Sequence, residues 1–108
     1  MQNHTKIYLR AVYPDFIDGE FLPCEVCGAR LEDVHHIDAR GMGGVGKKLD
    51  FIENLMGLCQ FYGNHCHTRY GDKTQHMKFL YEVHMQFLEF MGAEFNRKFF
   101  EQCIAKYS

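Results

Sequence analysis

Two histidines stand side by side between β-branched residues, Val34-His35-His36-Ile37, shortly after Cys24-Glu25-Val26-Cys27-Gly28. No other feature restricts the chain as much. A Cys-x-x-Cys-Gly run has the shape of a zinc knuckle: two thiolates separated by two residues reach one ion, and glycine permits the tight turn behind them. The same spacing suits a redox dithiol, although no strand-then-helix pattern of the thioredoxin kind surrounds it. Residues 32–38 read as a strand. Neighbouring side chains on a strand point to opposite faces, so one imidazole is placed to bind a metal while the other faces a substrate. Two ordinary surface histidines also satisfy the dipeptide. Its company argues for chemistry: Asn54, then Cys59, Cys66 and His67.

The 108 residues suffice for one domain with one modest core. A net charge of −2 excludes a general polycation, so any nucleic-acid site must be a local patch. No apolar run approaches the roughly 18 residues needed to cross a bilayer, and Met1-Gln2-Asn3-His4-Thr5-Lys6 lacks the layout of a signal peptide. A reducing cytoplasm is the expected location. There the five cysteines are metal ligands or buried thiols rather than disulfides.

Upstream of the knuckle, residues 3–13 read as a short helix capped by Asn3 or Thr5 and ended by Pro14, with a strand as the alternative. Arg40-Gly41-Met42-Gly43-Gly44-Val45-Gly46-Lys47-Lys48 is a glycine-rich loop with three cations. It is either a plain connection or a basic flap along a phosphate backbone. Leu55 to Cys59 reads as a second strand, and a helix follows around Cys66-His67. Asp72-Lys73-Thr74-Gln75 has the form of a capping box. Met77, Leu80, Tyr81, His84, Phe87, Leu88 and Met91 then recur at helical spacing up to Gly92. Phe95, Phe99, Phe100, Cys103 and Ile104 define another apolar helical face. These stripes are expected to be core or a docking seam for a second copy or a protein partner. His76 and His84 read as ordinary helix positions, and Cys103 as a small buried hydrophobe.

Taken in order, Cys24-x-x-Cys27, Val34-His35-His36-Ile37, Glu53-Asn54-Leu55, Cys59 and Cys66-His67 resemble the HNH endonucleases, over roughly residues 22–72. The version resembled is a bacterial or phage protein with a zinc-binding cysteine set. The resemblance implies an α+β fold: a ββα-metal unit (24–72) between an N-terminal segment (1–23) and a helical extension (73–108), all one nuclease domain. It implies His35 as a ligand of a catalytic divalent ion (Mg²⁺, Mn²⁺, Ni²⁺ or Zn²⁺), His67 as a second ligand, and His36 as general base. Asn54 matches the asparagine that braces the loop between the strands, and in some relatives approaches the metal. Cys24, Cys27, Cys59 and Cys66 would hold a structural Zn²⁺. The implied reaction is phosphodiester hydrolysis on DNA, leaving a 5′-phosphate and a 3′-hydroxyl. Arg40, Lys47, Lys48, Arg69 and Lys73 are the candidate phosphate contacts.

Two positions depart from the family pattern. Many relatives carry a further histidine four residues after the helix one; Gly71 stands there, so the third protein ligand is missing or is replaced by His65, Asp72 or water. Cys59 and Cys66 are separated by six residues instead of two. Phe61 to Asn64 must therefore loop out for both sulfurs to reach one ion, or His65 replaces a cysteine. An incomplete metal set and a net acidic charge also fit a zinc-stabilised DNA- or protein-binding module without catalysis, or a zinc-bearing structural subunit.

Overall fold

The computed structural model describes residues 2–39 and 49–108. The architecture is α+β. Strand β1 (Asp33–His36) pairs antiparallel with β2 (Leu55–Leu58), with His35 opposite Met56 and His36 opposite Leu55. Every residue of β2 is buried. Helix α2 (Cys66–Tyr70) follows, completing a strand–strand–helix unit.

Helix α1 (Asn3–Val12) lies against this sheet, burying Tyr8 and Val12. The expected cap is not formed. Gln2 holds the cap position without a side-chain bond, while the Asn3 amide Nδ2 donates to Asp50 Oδ2 at 2.9 Å. A long-range acceptor has outcompeted the local one. The capping box also fails. Asp72 turns with φ of +58°, Thr74–His76 forms a tight 3₁₀ turn, and α3 (Met77–Met91) begins after it with no side-chain cap. Gly92, at φ +71°, closes α3 in the left-handed conformation that glycine adopts without strain. Asn96 then caps α4 (Arg97–Lys106), its side chain accepting from Phe99 N at 3.2 Å.

The apolar stripes of α3 and α4 turn inward. Met77, Leu80, Tyr81, Leu88, Phe100 and Cys103 are at most 2% exposed and join Val34, Ile37 and the β2 residues in one core. Among the described residues, no helix is long and apolar enough to cross a membrane.

His84 is not an ordinary helix position. Its side chain and that of Glu25 are both 0% exposed, with His84 Nδ1 2.6 Å from Glu25 Oε1. Its Nε2 lies 2.7 Å from the Ile52 carbonyl oxygen. Glu25 Oε2 accepts from the Tyr8 hydroxyl at 2.6 Å and from Gly57 N at 2.9 Å. One buried carboxylate thus ties α1, the first cysteine turn, β2 and α3 together. Buried polar groups persist only when paired in this way.

The C-terminal helices also reach the end of β1. Tyr107 OH donates to Asp38 Oδ2 at 2.9 Å, and Asn96 N donates to Glu53 Oε2 at 2.7 Å, beside Asn54.

Candidate active site and metal centre

Two clusters of potential ligands are built from these elements. In the first, one sulfur each from Cys24, Cys27, Cys59 and Cys66 lies within 4.8 Å of every other. The first turn is shaped by Gly28 at φ +80°, whose N–H donates to Cys24 O at 2.9 Å. Glu32 anchors the second turn, its Oε2 accepting from Gln60 N and Tyr62 N. The long Cys59–Cys66 spacing is absorbed by a turn over residues 61–64 that carries Phe61 and Tyr62 out to solvent, 80% and 79% exposed. His65 is exposed and is not among the clustered ligands; it enters α2 at φ +54°.

Burial opposes ionisation of Cys27, yet hydrogen bonds from Asn64, Ala29 N and Cys59 bring its thiol down to about 6. Burial pushes Cys24 and Cys66 upward. A cation coordinated by all four sulfurs offsets that burial penalty, because a coordinating thiol is deprotonated by the ion itself. The set can bind a metal ion.

The second cluster surrounds the histidine pair. His35 shares the β1 face of Asp33 by strand alternation, and both meet α2. The His35 and His67 ring centroids are 4.6 Å apart, and Asp33 Oδ2 lies 3.0 Å from His67 Nδ1. His35 is 5% exposed, and its buried Nε2 has no hydrogen-bond partner among the described residues. Burial, followed by the nearby His67, pushes its imidazole down to about 4, so it is neutral at physiological pH. A neutral buried imidazole with an unused nitrogen suits a metal. The Gly71 departure acquires a spatial meaning: a Cβ there would run into His67 O and stand 3.1 Å from both His35 Cε1 and His67 Cδ2. The gap between the two rings stays open because residue 71 has no side chain. The residues therefore fit a divalent ion, with Asp33 and Asp72 bordering the same cavity.

His36 occupies that cavity from the other face of β1. Its Nε2 is 2.7 Å from Asp50 Oδ1. Hydrogen bonds from His36 and then Asn3 hold the Asp50 carboxyl below the usual carboxylate range. Asp50 thus accepts from Nε2–H, and in the neutral ring that tautomer puts the free lone pair on Nδ1. His4, from α1, lies against the His36 ring with centroids 4.7 Å apart.

Asn54 sits behind the pair and is 1% exposed. Its Oδ1 accepts from Asp38 N at 2.9 Å, while Nδ2 donates to Asp38 O at 3.2 Å and Leu49 O at 3.1 Å. One amide clamps the two chain ends flanking residues 40–48, and these bonds hold both its oxygen and its nitrogen to the backbone.

Among the candidate phosphate contacts, Arg40, Lys47 and Lys48 lie outside the described residues. Arg69 is exposed on α2. Lys73 folds back instead, its Nζ donating to Thr68 O and Arg69 O at 3.0 Å each. Three groups at the site escaped the sequence reading: Asp33, Asp50 and His4. Asp33 was open to it, because a carboxylate two residues before His35 must share its face; His4 and Asp50 carry no local signal.

Residues 24–73 match the family model described as HNH endonuclease, a nuclease family in keeping with the ββα unit and its two clusters. No curated protein and no solved structure matches the chain.

Proposed function

Residues 24–73 belong to the HNH endonuclease family, and from that premise we propose that the protein is a metal-dependent DNA endonuclease with His36 as general base. The observation that carries the reading is the convergence at one cavity: a buried His35 nitrogen, unpartnered among the described residues, beside His67, and His36 held by a carboxylate next to them. Zinc in the four-cysteine cluster is the proposed structural ion.

His35 and His67 are the proposed ligands of the catalytic ion, which is Mg²⁺, Mn²⁺, Ni²⁺ or Zn²⁺. When bound, such an ion supplies positive charge where the leaving oxygen becomes negative. His36 Nδ1 takes the proton from the attacking water. Asp50 keeps the ring in the tautomer that leaves this nitrogen free, as a carboxylate does for a catalytic imidazole. Asn54 holds the backbone on which His36 and Asp50 stand, so the base keeps its aim. Arg40, Lys47, Lys48 and Arg69 would bind the phosphate backbone without choosing a sequence, in a reducing cytoplasm.

Nicking of supercoiled plasmid with added divalent ion tests the reading. His36→Ala should slow cleavage by about 10²–10⁴-fold, the usual contribution of a positioned base, with DNA retention in a gel unchanged. Equal nicking by parent and variant removes the base assignment. A parent that retains DNA but never nicks with any of the four ions is instead a binding module.

A further inference from the structure

We propose that His4, His36 and Asp50 form a second divalent-cation site, specific for a borderline ion such as Zn²⁺, Co²⁺ or Ni²⁺. One ligand atom from each of the three lies within 4.8 Å of the others. They come from three separate parts of the chain: α1, β1 and the segment before the Ile52–Asn54 turn. His4 lies outside the family-matched residues 24–73. All three side chains are half-buried, and His4 and His36 open onto the cavity that also contains His35 and His67.

Two imidazoles and one carboxylate make a donor set that favours borderline transition ions over Mg²⁺, which prefers oxygen ligands and keeps its water. The carboxylate is already oriented. Asn3 Nδ2 holds Asp50 Oδ2 at 2.9 Å, leaving Oδ1 turned to His36. Such outer partners raise affinity by fixing the ligand before the ion arrives. An ion here replaces the hydrogen shared by His36 Nε2 and Asp50 Oδ1. The remaining ring hydrogen of a neutral His36 then sits on Nδ1, and the lone pair available to the attacking water is gone. The inhibitory consequence rests on the reading of His36 as base; the site itself does not.

The test uses full-length protein with its structural zinc in place, titrated with Zn²⁺ or Co²⁺ alone by calorimetry and native mass spectrometry. The parent is expected to take up two further ions, His4→Ala and His67→Ala one each. Asn3→Ala should weaken the His4-dependent ion by about tenfold, as loss of an outer partner does. His4 is half-buried on a helix face and alanine is a good helix former, so this variant should keep its circular dichroism spectrum. In plasmid nicking supported by Mg²⁺, rising Zn²⁺ should silence the parent; Asn3→Ala should tolerate about tenfold more, in line with that loss of affinity, and His4→Ala, which lacks the ion, should go on nicking where the parent is silent. A His4→Ala protein that titrates like the parent overturns the site and leaves His4 as packing against His36. A His4→Ala protein that loses one ion when no form nicks at any zinc level supports the site and overturns the nuclease reading.

Discussion

At the scale of single residues, the proposed base and the proposed ligand share one arrangement: a carboxylate fixes one ring nitrogen so that the other is available. Asp50 does this for His36 and Asp33 for His67. A ligand histidine whose second nitrogen is held by a carboxylate is oriented and more basic, and losing that partner costs about 10–100-fold in metal affinity. Asp33→Asn keeps the size and removes the charge. It should weaken Mn²⁺ binding by that factor, read by calorimetry, and slow nicking in parallel. Asp33 is partly exposed, so the melting temperature should stay near the parent's. Unchanged Mn²⁺ affinity would remove Asp33 from the site. The sequence already distinguished His35 from His36 by strand alternation, whereas Asp50 meets His36 only through the path the chain takes between the strands. Local pattern carries no information about that path.

At the scale of elements, the ββα unit was readable because each piece has its own mark: the glycine-backed cysteine turn, the β-branched frame of the histidines, and the apolar run from Leu55. The extrusion of residues 61–64 was readable too, because six residues cannot lie flat between sulfurs that share one ion. Helix starts were not readable. Asn3 and Asp72 look like caps, but a distant acceptor and a 3₁₀ turn take precedence, while Asn96 caps α4 with no capping-box partner. The second cysteine turn yields a sharp prediction. A Cβ at Gly63 would lie 2.7 Å from Cys59 Cβ, 2.8 Å from Cys59 Sγ and 2.9 Å from Ala29 Cβ. Gly63→Ala must therefore push the two cysteine turns apart, a packing strain of about 1–3 kcal/mol. It should lower the urea midpoint and make the protein release zinc to a chromophoric chelator faster than the parent. A variant with parental midpoint and parental zinc release would mean that the turn yields without cost.

At the scale of the whole molecule, the helical extension and α1 are joined to the ββα unit by the buried Glu25 carboxylate, a link that no local pattern encodes. Glu25 lies within the cysteine turn, where the motif makes it a mere spacer; His84 lies on a helix face, where the periodicity makes it part of the apolar stripe. Only the folded chain brings them to 2.6 Å with neither side chain exposed. Removing one partner leaves the other charged or polar group buried without compensation, and such losses typically cost about 3–5 kcal/mol. His84→Ala should destabilise by that amount in urea unfolding followed by circular dichroism. Because Glu25 also receives Tyr8 and Gly57 N, the disturbance should spread to α1 and β2 rather than remain within α3. Hydrogen exchange locates it. Faster exchange in α1 and β2 of His84→Ala, with α4 less affected, is the pattern expected if the carboxylate organises the core. Replacing both partners, Glu25→Gln with His84→Leu, should recover part of the loss, since the unpaired charge is then gone. A double variant less stable than His84→Ala would place the stabilisation in the packing of the imidazole ring, which lies 5.7 Å from Phe100, and not in its bond to Glu25.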